Sequence, residues 1–340
     1  MGRIVRLGLR VALAGSALTA MTVTASPLAG HASGTVYYLS LGDSYSVGYQ
    51  PAHGATPAGA SSGYTAVVAA NKGLQLENFG CGGATTTSIL AFDQSQCGVT
   101  QYGPPAATDA GPVASGQTQV QAADAFIAAN PGQVGLITIS IGGNDVTPCA
   151  AAAPGHPVNG KTDPVSCVGA GDSAIQANVA TLVGDLEGAL IAANGTKGAK
   201  QVPIVGLTYP DVLLGLWVNS GPGGSPANTP KFPASASNQT LASESVAAFN
   251  LLINPTLKAA YATVKGKFVD VTKGTHAYTP LTKTTRYDAS ALGLGTITIP
   301  KAVADVCTWT WYCQYGNIHA NDTGYTLIGN LIDKTAKVKI

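Results

Sequence analysis

Short apolar runs rich in β-branched residues recur along this chain with alanine-rich segments between them, and that alternation limits the fold more than any other sequence feature. The runs fall at residues 36–41, 74–79, 134–141, 202–207 and 268–271. Continuous apolar runs of this length read as strands buried on both faces. The intervening segments at 64–70, 117–129, 174–193 and 241–264 read as helices, the last kinked or divided by Pro255. A final helix is expected over 323–334, with Asn321 or Asp322 placed to cap it. Strand and helix in alternation predict an α/β fold: a parallel, doubly wound, five-stranded sheet with helices on both faces, three layers in all. No linker interrupts the pattern, so one domain is expected over 33–340.

Charged residues make up 10% of the 340 positions, against about a quarter in a typical soluble domain, which excludes a coiled coil and a disordered solvating chain. The formal net charge is +1 and no Lys/Arg block occurs, so neither nucleic acid nor an anionic membrane surface is an expected partner. Arg3, Arg6 and Arg10 precede an uncharged stretch over 11–30, and no acidic residue stands before Asp43. This is the charge pattern of a secretory signal peptide occupying 1–32, with cleavage after Ala25 or Ala32, and it implies an extracellular protein.

Six cysteines in an exported chain favour disulfides. They form three local clusters, Cys81 with Cys97, Cys149 with Cys167 and Cys307 with Cys313, which favours pairing in sequence order. No C-x-x-C occurs and no histidine cluster accompanies the thiols, so no metal is expected. Three connections, at 90–116, 147–172 and 209–238, are too long for plain turns and are expected to be functional or disulfide-tied. The third carries an apolar stretch over 212–218 followed by Gly221, Pro222, Gly223 and Gly224.

Four short motifs sit where the predicted strands deliver their carboxyl ends, the edge at which open α/β sheets place their ligand crevice. The first strand leads into Gly42-Asp43-Ser44-Tyr45-Ser46, the second into Gly80-Cys81-Gly82-Gly83-Ala84-Thr85, and the third into Gly142-Gly143-Asn144-Asp145. Asn317-Ile318-His319 precedes the last helix. A hydroxyl, a glycine amide, a side-chain amide and an imidazole would thus converge. Acyl transfer needs this set: a nucleophile, a base for its proton, and donors aimed at the developing oxyanion. Singly, each has a plain structural use as a cap, a turn or a disulfide-bearing loop; together they point to chemistry. An α/β-hydrolase elbow is excluded because G-x-S-x-G needs glycine where Ser46 stands.

In these blocks, their order and their spacing, the chain resembles the SGNH hydrolases, the GDSL family of lipases and esterases, and most of all its secreted actinobacterial members. The resemblance implies a flavodoxin-like sheet, three disulfides joined in sequence order, Ser44 as nucleophile, His319 as general base, and an oxyanion hole made by the amides of Ser44 and Gly83 and the side chain of Asn144. It also implies an ester substrate, no cofactor and no obligate protein partner, with a monomer expected. Val212, Leu213, Leu216 and Trp217 are the expected acyl-binding residues, which favours lipid or other long-chain esters. A carbohydrate acetyl esterase, and a secreted binding module that has lost its chemistry, are the competing readings. The sequence departs from the family at one point. The fourth block usually reads D-x-x-H, and here the residue three before His319 is Gly316. A main-chain carbonyl around residues 315–317 is the expected acceptor of the Nδ1 proton; Asp288 and Asp305 are the competing acids, and Asp322 is expected to cap the final helix.

Overall fold

The computed structural model describes residues 34–51, 63–91, 117–219 and 232–338. The expected leader over 1–32 and Cys97 lie outside these residues. The elements run β1 (Tyr37–Gly42), α1 (Tyr64–Lys72), β2 (Gln75–Asn78), α2 (Gln119–Ala129), β3 (Val134–Ser140), α3 (Gly143–Val146), α4 (Pro164–Ala199) and β4 (Ile204–Leu207). They continue with α5 (Ala236–Ala248), α6 (Asn254–Ala262), β5 (Lys267–Val269), α7 (Val271–Gly274), β6 (Thr284–Asp288), β7 (Thr296–Pro300), α8 (Lys301–Trp309), α9 (Tyr312–Tyr315) and α10 (Asp322–Thr335). All five predicted strands form, and they pair in parallel in the order β2-β1-β3-β4-β5. This is the flavodoxin-like order, whose switch point lies between β1 and β3.

Alternation along the strands explains the layers. Leu39, Leu41, Ile137 and Ile139 face one way into a core with Ile127 of α2, Val179 and Leu182 of α4, and Leu257 of α6. Tyr38, Leu136, Val205 and Leu207 face the other way, against Val68 of α1 and Tyr325 and Ile328 of α10. Successive strand residues point to opposite faces, so a run that is apolar at every position must be covered on both. Among the described residues no helix is long and apolar enough to cross a membrane.

Four features differ from the sequence reading or refine it. α4 begins ten residues before the predicted start, because Asp163 caps it by accepting from Ser166 N–H and Pro164 occupies its first turn. Gly169 and Gly171 disguised this turn as loop; a Cβ at Gly171 would lie 2.5 Å from the carbonyl oxygen of Asp145, so the helix needs glycine there to pass the Asn144 turn. The division expected at Pro255 takes the form of a π-helical turn over Phe249–Ile253 that joins α5 to α6, with Pro255 in the first turn of α6. The β6–β7 hairpin escaped notice because β6 alternates half-buried with exposed residues, β7 does so up to the buried Ile299, and neither forms a continuous apolar run. Asn321, and not Asp322, caps α10, its Oδ1 accepting from Gly324 N–H at 3.0 Å. Disulfides join Cys149 to Cys167 and Cys307 to Cys313.

β1 ends at Gly42 with φ of +133°, and a Cβ there would lie 2.0 Å from the carbonyl oxygen of Ser140 on β3. Only glycine lets the strands stay paired to the residue before the Asp43-Ser44 turn. Gly42→Ala is therefore expected to destabilise the fold by about 2 kcal/mol or more from backbone strain alone, read as a lowered midpoint in denaturant. An unchanged midpoint would show that β1 and β3 separate there at no cost.

Candidate active site

The β1 and β3 ends bring the first and third motifs to the switch point, and neighbouring residues tie the remaining motifs to them. Asn78 at the end of β2 donates from Nδ2 to the carbonyl of Ser46 and accepts from Gly80 N–H, at 2.7 and 2.9 Å. Asp145 accepts from Thr86 N–H and Thr86 Oγ1, at 2.9 and 2.8 Å. Tyr45 donates from its hydroxyl to the carbonyl of Ile318 at 2.6 Å. The fourth motif is thereby tied to the first.

Within this frame Ser44 Oγ lies 2.7 Å from His319 Nε2. Both residues are buried. The imidazole is stacked against Tyr45, with centroids 5.7 Å apart, and meets Tyr49 edge-on at 4.5 Å. Its Nδ1 lies 2.7 Å from Asn317 Oδ1, and the same oxygen accepts from the backbone N–H of His319 at 3.0 Å. The expected main-chain carbonyl is thus corrected to a side-chain one. The reason is local: Gly316 takes a left-handed conformation that closes α9, and Asn317 then forms an Asx turn whose amide oxygen occupies the position opposite Nδ1. None of the three acids is the partner. Asp288 caps its own turn at Ser290 N–H, Asp305 pairs with Lys301 and His276, and Asp322 accepts from Gln50.

Burial pushes the His319 imidazole down to about 3, so the neutral base is the resting form. Burial pushes the neighbouring Asp43 carboxyl up to about 7 despite donation from Tyr209 Oη at 2.6 Å and Tyr45 N–H at 3.0 Å. Asn144 donates one Nδ2 hydrogen to the carbonyl of Ala84 at 2.9 Å. An amide nitrogen carries two hydrogens, so the second remains for a ligand oxygen. Asn144 and Ser44 line one small cleft. Gly83 sits in the turn just before Ala84, with φ of 79°, but is not among the described residues lining that cleft.

The four expected acyl-binding residues divide. Val212 and Leu213 line the cleft beside Ser44. Leu216 is buried against Ala242 and Tyr312 and Trp217 packs at the edge of the same cluster; Val212 and Leu213 belong to that cluster too but also reach the cleft, which Leu216 and Trp217 do not line. Thr147, Leu213 and Phe249 lie on the boundary between the cleft and a larger groove. That groove is almost wholly apolar, with Val165, Val168, Leu241 and Leu252 among its walls. Sequence reasoning missed it because its walls come from α4, α5, the π turn and the 212–217 turn, and no single stretch carries a signal. Asn317 stands two residues before the histidine, but the sequence pointed to its stretch of main chain, with acids as competitors, and not to its side chain. Among the described residues no three His, Cys, Asp or Glu side chains are grouped to hold a metal ion.

No family model and no curated protein matches the sequence. Among solved structures the chain is similar to an extracellular lipase from Streptomyces rimosus, with 18% identity and a TM-score of 0.45 over 89% of this chain and 100% of that one. It is similar to phospholipase A1 from Streptomyces albidoflavus NA297, with 15% identity and a TM-score of 0.46 over the same shares. A carbohydrate acetylesterase family member from Sinorhizobium meliloti matches at 13% identity and a TM-score of 0.40, over 88% and 96% of the two chains. These likenesses are too distant to carry a functional argument, which rests on the chain's own geometry.

The His319 direction has a measurable sign. Its folded value lies below the ordinary 6.5, so the unfolded chain binds the extra proton between about pH 6.5 and 3, and stability falls as pH is lowered through that window. His319→Gln is expected to lose less stability than the parent between pH 7 and 4 in denaturant titrations. Equal losses would place the imidazole in a solvated, freely titrating environment.

Proposed function

We propose that this chain is an exported SGNH-type serine hydrolase of carboxylic esters, acting through a covalent acyl-enzyme on esters with long acyl chains. The observation that carries the reading is the 2.7 Å contact between Ser44 Oγ and His319 Nε2 in a cleft that continues into an apolar groove. His319 takes the Ser44 proton as Oγ attacks the ester carbonyl. The amides of Ser44 and Gly83 and Asn144 Nδ2 hold the oxyanion, the alcohol leaves with the proton, and water then releases the acid by the reverse steps.

The groove supports the choice of substrate. Val165 is 74% exposed and Leu252 37% exposed on its rim, large side chains left in water at a site of several apolar walls. Such surface is best explained by an apolar ligand. An acetyl group needs no such room, which sets the carbohydrate acetyl esterase reading second. The charge pattern of residues 1–32 supports export, and the disulfides favour an oxidising compartment.

A panel of esters from two to eighteen carbons tests the proposal. Ser44→Ala is expected to lower turnover by about 10⁴-fold or more, because nucleophile and base fail as a unit. Asn144→Ala is expected to lose about 10²- to 10³-fold, as one oxyanion donor of three. Absence of hydrolysis by the parent, with no labelling of Ser44 by a fluorophosphonate, would leave a binding module.

Val165→Ser with Leu252→Ser is expected to lower kcat/KM for long-chain esters at least tenfold while leaving acetyl esters within about twofold, since each buried methylene is worth about 0.8 kcal/mol. Leu216→Ala is expected instead to lower stability without changing chain-length preference. Equal losses across the panel in the groove variant would separate the groove from catalysis.

A further inference from the structure

We propose that Asn317 is the positioning residue of the base: its side-chain carbonyl holds the Nδ1 proton of His319 and so fixes the tautomer that can accept from Ser44. The inference rests on the Ser44–His319 reading above and deepens it.

The assignment of atoms follows from donors. The backbone N–H of His319 can only donate, and it faces the Asn317 side-chain atom at 3.0 Å. That atom is therefore the oxygen, and Nδ1, which lies 2.7 Å from the same oxygen, must carry a hydrogen to bond it. A neutral imidazole has one ring hydrogen, so Nε2 is left with its lone pair facing Ser44 Oγ. Orientation of the ring comes largely from elsewhere, through the Tyr45 and Tyr49 contacts and the backbone bond from Trp311 N–H to His319 O. Asn317 is thus left with one specific task, the choice of tautomer.

The same contact sets what the base lacks. When His319 accepts the Ser44 proton it becomes an imidazolium, with the Nδ1 hydrogen still on nitrogen and pointing at a neutral oxygen. The titratable groups around it are the phenols of Tyr45 and Tyr49 from the turn after β1, with Tyr209 and Tyr325 in contact with Tyr45 behind. Asp43, beside the nucleophile, is engaged by Tyr209 and the Tyr45 amide, and Asp322 of α10 by Gln50. Among the described residues no carboxylate bonds the ring. In a Ser-His-Asp site the acid supplies both the tautomer and the stabilisation of the imidazolium; here Asn317 supplies the first, its neutral oxygen supplies less of the second, and the oxyanion donors carry more of the barrier reduction.

Asn317→Asp and Asn317→Leu separate these two roles. The Asp variant is expected to hydrolyse esters at least as fast as the parent, and to move the acid limb of its kcat/KM profile up by one pH unit or more, because a carboxylate favours the charged imidazole. Asn317→Leu is expected to lose about 10- to 10²-fold in kcat with KM within about twofold, the loss falling on the step that needs the tautomer. ¹⁵N NMR of histidine-labelled full chain, with His319→Gln to assign the signal, is expected to show the Nδ1–H tautomer in the parent and a mixture or the Nε2–H form in the Leu variant. An Nε2–H tautomer in the parent overturns the proposal whether or not the protein hydrolyses esters. A parent inactive on every ester but carrying the Nδ1–H tautomer overturns the hydrolase reading alone. An unshifted profile in the Asp variant, or full turnover in the Leu variant, overturns the positioning role.

Discussion

The hydrogen bond from Tyr45 to the carbonyl of Ile318 joins residues 273 positions apart in sequence, and the geometry of the whole site follows from it. Each partner is the immediate neighbour of a reactive side chain, Tyr45 of Ser44 and Ile318 of His319. Fixing the backbone one residue away is an effective way to fix a side chain, because little torsional freedom remains between the anchor and the functional atom. The third motif repeats the device: Asn144 is flanked by Asp145, whose carboxylate is held by Thr86. The reactive groups can then stay unencumbered while their neighbours do the holding. Such anchors must be buried to be stiff, and their burial lowers the polarity around His319 and Asp43, which accounts for the opposite directions in which imidazole and carboxyl are displaced.

The fold was legible wherever burial imposed a continuous pattern. β1 and β3 are covered on both faces, so their sequences are apolar at nearly every position and the parallel sheet could be read from them. The first turns of α4 were illegible for the converse reason. Pro164 and Gly171 are there to start a helix and to let it pass close to the Asp145 carbonyl, and helix-starting and close-packing residues have the composition of a loop. The β6–β7 hairpin was illegible because only alternate residues are part-buried.

In the site, Ser44, Asn144 and His319 could be named from motif order because parallel strands deliver their ends to one edge. The identity of the orienting group could not, since Asn317 acts through an Asx turn that depends on the left-handed Gly316, a conformation not written in the residue types alone. Leu216 and Trp217 looked like Val212 and Leu213 in sequence. Only the sense in which the short 212–217 turn winds decides which of them also reach the cleft and which stay within the cluster around Tyr312.

The π-helical turn over Phe249–Ile253 makes the groove a matter of residue count as well as residue type. A π turn holds one residue more than an α turn, so it offsets the angular phase of everything after it by about 100°. Phe249 lines the cleft that holds Ser44 and Leu252 lines the groove, while Leu257 of α6 is buried in the core, so one continuous run of helical turns sets both wall and core. Loss of a single residue in this turn would therefore rephase the wall against the core in one event. Insertion or deletion here would thus change the width of the groove in steps, where substitution alone changes it by degrees.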